Sequence, residues 1–428
     1  MKKSTLALAI TAAAFSAPSF ATNGDVLIGL GAQARALGGT GTAAFFGAEN
    51  ALTNPALLGK MQGTEFNIGG TVFMPDVKAS TNVAGVQSSQ TSDNDLNIIP
   101  EVSLATRIDD NLTFGIGIFG SAGMGVDYQE TPGLFKGYSN LQLMKFAPSL
   151  SYNNGNYGFG FAPVIQYGAL DINYVDPNGN TAGSGMESDL GYGFNLGGYF
   201  DVTPEFTLAA AYQSAISMEY DGQISTAGAG LGFNGVQPPM GLGLPMLSDK
   251  LEQPAEIKLG AAYTMGDWLM TADYKKIKWS DADGYKDFNW DDQDVFGLGV
   301  KYSGQGYWVG AGYNYAEDPI KKMGMNATTS PMGYAAQAVD LFNNHFFPGI
   351  VESHFTFGGG LNITKNSAID VAVVYADEIT KTVNTGVVSD FLNAQATQTT
   401  PLGFPADATT HTVKHSQLGY TISYRMNF

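Results

Sequence analysis

The last eleven residues constrain what this chain can fold into more tightly than any other stretch. Leu418, Tyr420, Ile422, Tyr424, Met426 and Phe428 interleave there with Gly419, Thr421, Ser423, Arg425 and Asn427. Successive side chains of a strand point to opposite faces, so this period of two makes one apolar face and one small or polar face. The N-terminus indicates where such a strand is used. Lys2 and Lys3, the apolar stretch Leu6 to Phe15, and Ser19, Phe20 and Ala21 have the layout of an export signal with small residues at the cleavage-reading positions. Residues 1–21 are therefore expected to be a signal peptide, with Thr22 first in the mature chain. Beyond it no apolar run approaches the roughly 20 residues a membrane helix needs. Lipid offers no partner for unpaired backbone groups, so a membrane-integral form of this chain must be a closed barrel.

Composition narrows the function classes. The chain has 55 Gly, 12% aromatic and only 14% charged residues, a profile of strands and turns rather than amphipathic helices. Its formal charge of −18 falls to −20 without the signal, which excludes nucleic acid as a partner and suits a cell surface bearing lipopolysaccharide and divalent cations. Cysteine is absent, in keeping with an oxidising compartment, and thiolate metal sites and cysteine catalysis are excluded. No Gly-x-Ser-x-Gly elbow or zinc-spaced pair accompanies His345, His354, His411 and His415, which read as solvated loop histidines. The acidic run from Asp281 to Asp294 lacks the spacing of a calcium loop. These observations imply no enzyme, no cofactor and no metal.

Period-two runs predict an all-β fold, a 14-stranded antiparallel transmembrane barrel spanning residues 64–428. The runs are 64–73, 96–108, 112–128, 141–153, 157–175, 190–202, 206–224, 255–265, 268–279, 295–302, 307–316, 353–363, 368–382 and 414–428. Tight turns such as Asn154-Gly155-Asn156 and Thr203-Pro204-Glu205 alternate with long loops at 74–95, 225–254, 317–352 and 383–413. Short periplasmic turns and long outer loops are the expected asymmetry. Aromatics beside the turns, among them Tyr152, Tyr157, Phe200, Phe206, Tyr263, Trp268, Tyr302, Tyr307 and Trp308, are expected to form the inner interfacial girdle. In the fifth strand Tyr157, Phe159, Phe161, Ile165 and Tyr167 would face lipid, and Gly158, Gly160, Ala162, Val164 and Gln166 the lumen. So little inward bulk cannot fill a barrel of fourteen strands. Either water or residues 22–63, rich in Gly and Ala and without alternation, must fill it.

Several stretches resemble the FadL/TodX family of outer-membrane transporters for long-chain fatty acids and other hydrophobic compounds. Residues 31–40 (GAQARALGGT) and 49–58 (ENALTNPALL) are similar to the family's N-terminal hatch, with Asn54, Pro55 and Ala56 as its motif. Phe288 to Gln293 and Tyr313 to Ile320 match further along. The resemblance implies residues 22–63 as a hatch plugging the barrel, and a hydrophobic cargo that passes from an outer groove to a pocket in the upper barrel. Hatch movement would then release it sideways into the membrane through a gap at a kink in the third strand. It also implies a monomer, and the terminal strand would be read by the barrel-assembly machinery.

Candidate parts follow. The wall gap is expected at Gly120, Ser121, Gly123 and Gly125, where alternation in the third strand breaks and clustered glycine marks a bulge or bend. Leu231, Phe233, Met240, Leu242, Leu244 and Met246 form a loop too apolar for plain exposure, read as part of the capture groove or as a loop folded over the barrel mouth. Arg107, Lys145, Lys258 and Lys301, with Arg425, fall on the inward face and are candidates either for a carboxylate head group or for structural ion pairs. A water-filled general diffusion porin for small polar solutes remains the alternative function.

Overall fold

The protein is described from a computed structural model that covers residues 22–83, 86–176, 179–236, 243–323, 331–390 and 409–428. Residues 1–21, the expected export signal, lie outside them. Fourteen long strands carry the fold: β1 (Thr64–Val83), β2 (Asn97–Arg107), β3 (Leu112–Asp127), β4 (Tyr138–Asn153), β5 (Tyr157–Val175), β6 (Glu187–Thr203), β7 (Phe206–Gln213), β8 (Glu256–Met265), β9 (Trp268–Ile277), β10 (Gln293–Gly304), β11 (Tyr307–Ala316), β12 (Ser353–Asn362), β13 (Ser367–Asn384) and β14 (Thr409–Asn427). Each pairs antiparallel with the next, and β14 pairs with β1 from Thr409–Val83 to Asn427–Glu65, which closes the cylinder and removes the sheet edge. No helix among the described residues is long and apolar enough to cross a membrane.

The inward and outward faces follow the alternation. Along β5, Phe159, Phe161, Ile165 and Tyr167 are exposed on the outside, and Gly158, Gly160, Ala162, Val164 and Gln166 are buried inside. Tyr420, Ile422 and Tyr424 of β14 are exposed outward, with Gly419, Thr421 and Ser423 buried. At the short-turn end Tyr152, Tyr157, Phe200, Tyr263, Trp268 and Tyr307 face out as a girdle. Trp308 does not join them. It neighbours Tyr307 on the strand and so points inward, where its indole donates to Asp370 Oδ1 at 2.6 Å.

Two strand boundaries differ most from the periodicity. β1 continues ten residues past Phe73, because above Met74 it no longer meets lipid: Val77 and Ala79 are buried inside, Asp76 and Lys78 face water. The expected loop 74–95 is therefore largely a hairpin, with Val86–Thr91 paired to β1. β7 in turn stops at Gln213, although the chain stays extended through bridges from Ile216 to Gln253 and Glu219 to Lys250.

Helices lie at the two ends of the interior. The N-terminal segment contains α1 (Gly31–Ala36), α2 (Asn50–Thr53) and a 3₁₀ turn at Pro55–Lys60. It is buried against inward side chains on all sides, bonding β1 through Thr71, β10 and β11 through Lys301 and Asn314, β12 through Thr356 and β6 through Asp201. Over the loop end sit α3 (Ile224–Gly230) and α4 (Pro331–Phe346).

Candidate functional site

The loop end of the barrel encloses one large apolar cluster. Leu141, Leu170, Ile172 and Tyr174 project into it from β4 and β5, and Ile224 from α3. Trp279, Tyr285, Phe288 and Trp290 come from the β9–β10 connection, and Tyr334, Phe342 and Phe346 from α4. Phe288 stacks on Phe342 with ring centroids 4.5 Å apart, and Trp290 Nε1 donates to Asn343 Oδ1 at 3.1 Å, fastening α4 to the connection. The cavity left among Met124, Leu170, Phe288, Phe342 and their neighbours is about 20 Å³, room for one water-sized body. A larger apolar guest must displace side chains of this cluster.

Leu231, Phe233 and Leu244 of the expected groove are buried in the same cluster, so these three fold over the mouth, while Met246 is 65% exposed. Met240 and Leu242 lie outside the described residues. The histidines correct the sequence reading: His345, His354, His411 and His415 are all buried, not solvated. His345 Nδ1 meets His411 Nε2 at 3.0 Å, joining α4 to β14, and burial pushes the His345 imidazole down to about 4.

Below the apolar cluster lies a polar cavity of about 70 Å³ between residues 26–30 and the wall. Lys145, Lys258, Lys275, Glu256, Asp273 and Ser121 line it. Lys258 pairs with Glu256 at 3.0 Å, and Asp273 accepts Gly41 and Thr42 N–H groups at 2.9 and 2.8 Å. Lys145 is 3% exposed, and among the described residues neither its ammonium group nor that of Lys275 makes a hydrogen bond or ion pair. Nearby Asp25 accepts from the Tyr285 hydroxyl and from Gln253, and burial outweighs those bonds to raise its carboxyl to about 6.

The other basic candidates serve elsewhere. Arg107 donates to the carbonyls of Gly59, Met61 and Asp110 at the short-turn end, Lys301 holds Gln33 at 3.0 Å, and Arg425 pairs with Asp370 at 3.4 Å. Lys275, Arg35 and Glu101 were not singled out from the sequence. Alternation along β9 puts Lys275 on the same inward face as Asp273, so that signal was present. The pairing of Arg35 with Glu101 carried none, because the two are joined only by the fold.

Asn54, Pro55 and Ala56 form the start of the 3₁₀ turn. Asn54 Oδ1 accepts from Ala56 N at 3.1 Å as its cap, and its amide donates to Thr42 O at 2.7 Å. Pro55 follows at the first position, where no donor is needed. The wall accommodates this turn with glycines: a Cβ at Gly160 would lie 2.2 Å from Ala56 N, and one at Gly197 1.9 Å from Asn54 Oδ1.

The pairing of the third strand changes partway along it. Its ladder to β2 runs from Arg107–Thr113 to a last rung at Glu101–Phe119, and its register to β4 shifts between Gly120 and Ala122, leaving Ser121 as the bulge. Past the break, Val26 bridges to Ala122, and Gly123 N donates to Asp25 O at 3.0 Å. Gly125 packs close to β4, where a Cβ would lie 2.3 Å from Ser139 O.

Comparison with known proteins agrees with this architecture. The family described as outer membrane protein transport protein (OMPP1/FadL/TodX) matches residues 5–333. A "47 kDa outer membrane protein" of Pasteurella multocida is 23% identical over 396 residues, 86% of this chain and 89% of that protein. The crystal structure of the Pseudomonas putida toluene transporter TodX superposes with a TM-score of 0.65 at 20% identity, covering 94% of this chain and 99% of that one. A FadL homologue of Pseudomonas aeruginosa gives 0.67 at 16%, covering 95% and 100%, and the Ralstonia pickettii toluene transporter TbuX 0.59 at 19%, covering 94% and 98%.

Proposed function

The chain belongs to the outer membrane protein transport family (OMPP1/FadL/TodX), and we propose that it admits long-chain fatty acids or related hydrophobic compounds through a plugged barrel with a side exit. It is an outer-membrane protein of a family of hydrophobic-compound transporters, not enzymes. In this reading cargo is captured at the loop end, where Met246 is exposed, and settles among Leu170, Ile172, Phe288 and Phe342. Residues 22–63 act as the hatch. Their displacement by cargo opens a path past Ser121 to the membrane, and one copy of the chain suffices.

The observation that carries the reading is the coincidence at β3: the β2–β3 ladder stops, the strand bulges at Ser121, and the N-terminal segment supplies the next pairing at Ala122. A greasy molecule gains nothing from a wet channel, whereas a dry chamber opening into lipid keeps its apolar surface out of water throughout. The resting cavity is too small for such a guest, which supports gating by the ligand itself. Lys145 and Lys275 beside the path support a cargo with an acidic head group. The name toluene transporter belongs to TodX and TbuX, and an aromatic hydrocarbon is the second cargo to try. A general diffusion porin is not favoured, since residues 22–63 occupy the lumen that polar solutes would need.

Uptake of a radiolabelled long-chain fatty acid and of toluene by cells carrying Gly123→Trp tests the exit. The substitution plugs the break from the β3 side, and uptake of the true cargo is expected to fall to background while folded protein still reaches the membrane. Uptake at the wild-type rate would overturn the side exit.

A further inference from the structure

We propose that Arg35 and Glu101 form a charge clamp that positions the N-terminal segment across the break in the wall and keeps that break closed until cargo arrives. The inference rests on the hatch reading above. It starts from where the segment touches the two lips. On the β2 lip, Glu101 makes the last rung to β3, and both of its carboxylate oxygens serve the segment: Oε2 accepts Gly31 N at 3.0 Å and Oε1 accepts Arg35 Nη2. On the β3 lip, Val26 and Asp25 pair with Ala122 and Gly123.

Only Leu27 to Leu30 connect these two anchor points, and a span that short has little slack. Leu27 and Ile28 pack on Phe73 and Ile99, which further limits it. A shift at one lip is therefore passed to the other. The guanidinium is held from its far side as well, because Nη1 donates to Thr71 Oγ1 at 2.6 Å. Arg35 and Glu101 are 2% and 4% exposed. A buried pair of this kind stabilises a fold little better than apolar residues would, but it disfavours every arrangement in which either charge loses its partner. That property makes it a device for fixing one position. Arg35 and Glu101 are positioning residues, touching the segment and the wall rather than the cargo.

Four proteins test the clamp: wild type, Arg35→Met, Glu101→Met and the double variant, each assayed for unfolding midpoint in detergent and for conductance in planar bilayers. Each single variant is expected to unfold more readily, since the remaining charge is buried alone, and the double variant to recover the midpoint. Conductance is expected to rise at least fivefold in both singles and to stay raised in the double, because the clamp is gone even though the charge imbalance is cured. Conductance returning to wild type in the double together with the midpoint would show a merely structural pair and overturn the clamp. A Val26→Cys/Ala122→Cys disulfide in this otherwise cysteine-free chain separates the two readings. Uptake blocked by the disulfide and restored by reductant, with no conductance change in the Arg35 and Glu101 variants, sinks the clamp alone; uptake indifferent to the disulfide sinks the mobile hatch on which it rests.

Discussion

Strand β5 is apolar on its outside along the lower half and apolar on its inside along the upper half, without any change of register. From Tyr157 to Tyr167 the outward residues are aromatic or aliphatic and the inward ones small or polar. From Gly168 onward the same inward face carries Leu170, Ile172 and Tyr174, while Asp171 and Asn173 turn outward. β14 repeats the inversion, with Lys414 outside and Val413 inside above the Leu418 level, and Tyr420 outside and Thr421 inside below it. The lower half faces lipid, where an outward charge is costly. The upper half stands in water and obeys the rule of a soluble protein, apolar within. That inversion builds the chamber, since it puts a dry interior directly above the polar cavity and the break at Ser121.

The sharpest way to break the comparison is to exchange the rules. Phe159→Arg on the lipid face, between the girdle and the bilayer midplane, is expected to lower the free energy of unfolding by about 1 to 3 kcal/mol in a denaturant titration in lipid vesicles. Ile172→Thr shortens the side chain by a methyl group and adds an unpaired hydroxyl to the upper interior, and should weaken cargo binding by about 1 to 2 kcal/mol, roughly tenfold, in a displacement assay with a fluorescent fatty acid.

Acidification addresses the buried histidines of the upper half together with Asp25 beneath them. His345 is held neutral by burial, with its value depressed from 6.5 to about 4, so its contribution is complete above pH 6.5 and is lost as pH falls toward 4. Trp290 fluorescence, which reports α4 docking through Asn343, should shift over that window, and His345→Phe should diminish the shift, leaving the part that arises from Asp25 through Tyr285. The smallest effect is expected from Asp76→Arg, which reverses a charge on the outward face of β1 above the lipid band: less than about 0.5 kcal/mol in the titration used for Phe159→Arg. A large loss there would mean that the lipid band extends higher than the inversion indicates.

Strand number and the facing of residues in the lipid band were legible in the chain because a single solvent boundary acts on every second residue. Legibility failed where that boundary changed. The apolar-outward pattern of β1 ends at Phe73 because its upper half inverts the pattern, and Trp308 lies beside a turn as the girdle aromatics do but is turned inward by its place in the alternation. The four histidines read as solvated because they fall near loops, yet the upper wall and α4 bury them. The bulge at Ser121 was foreshadowed by its glycine neighbours. Nothing in the chain foretold that Gly160 and Gly197 would receive Ala56 and Asn54, or that the Lys145 ammonium would have no side-chain partner among the described residues beside Lys275.

By itself the amino-acid order determined that this is a closed, lipid-spanning cylinder with a small-residue lining, because alternation is local and each strand declares its own two faces. Only the tertiary structure decided which charges meet inside. Arg35 and Glu101, and Asp25 and Tyr285, lie on different elements that alternation cannot relate, and their pairing follows from how residues 22–63 settle within the ring. Buried polar groups must find partners wherever the packed chain brings them, and that search ends in three dimensions.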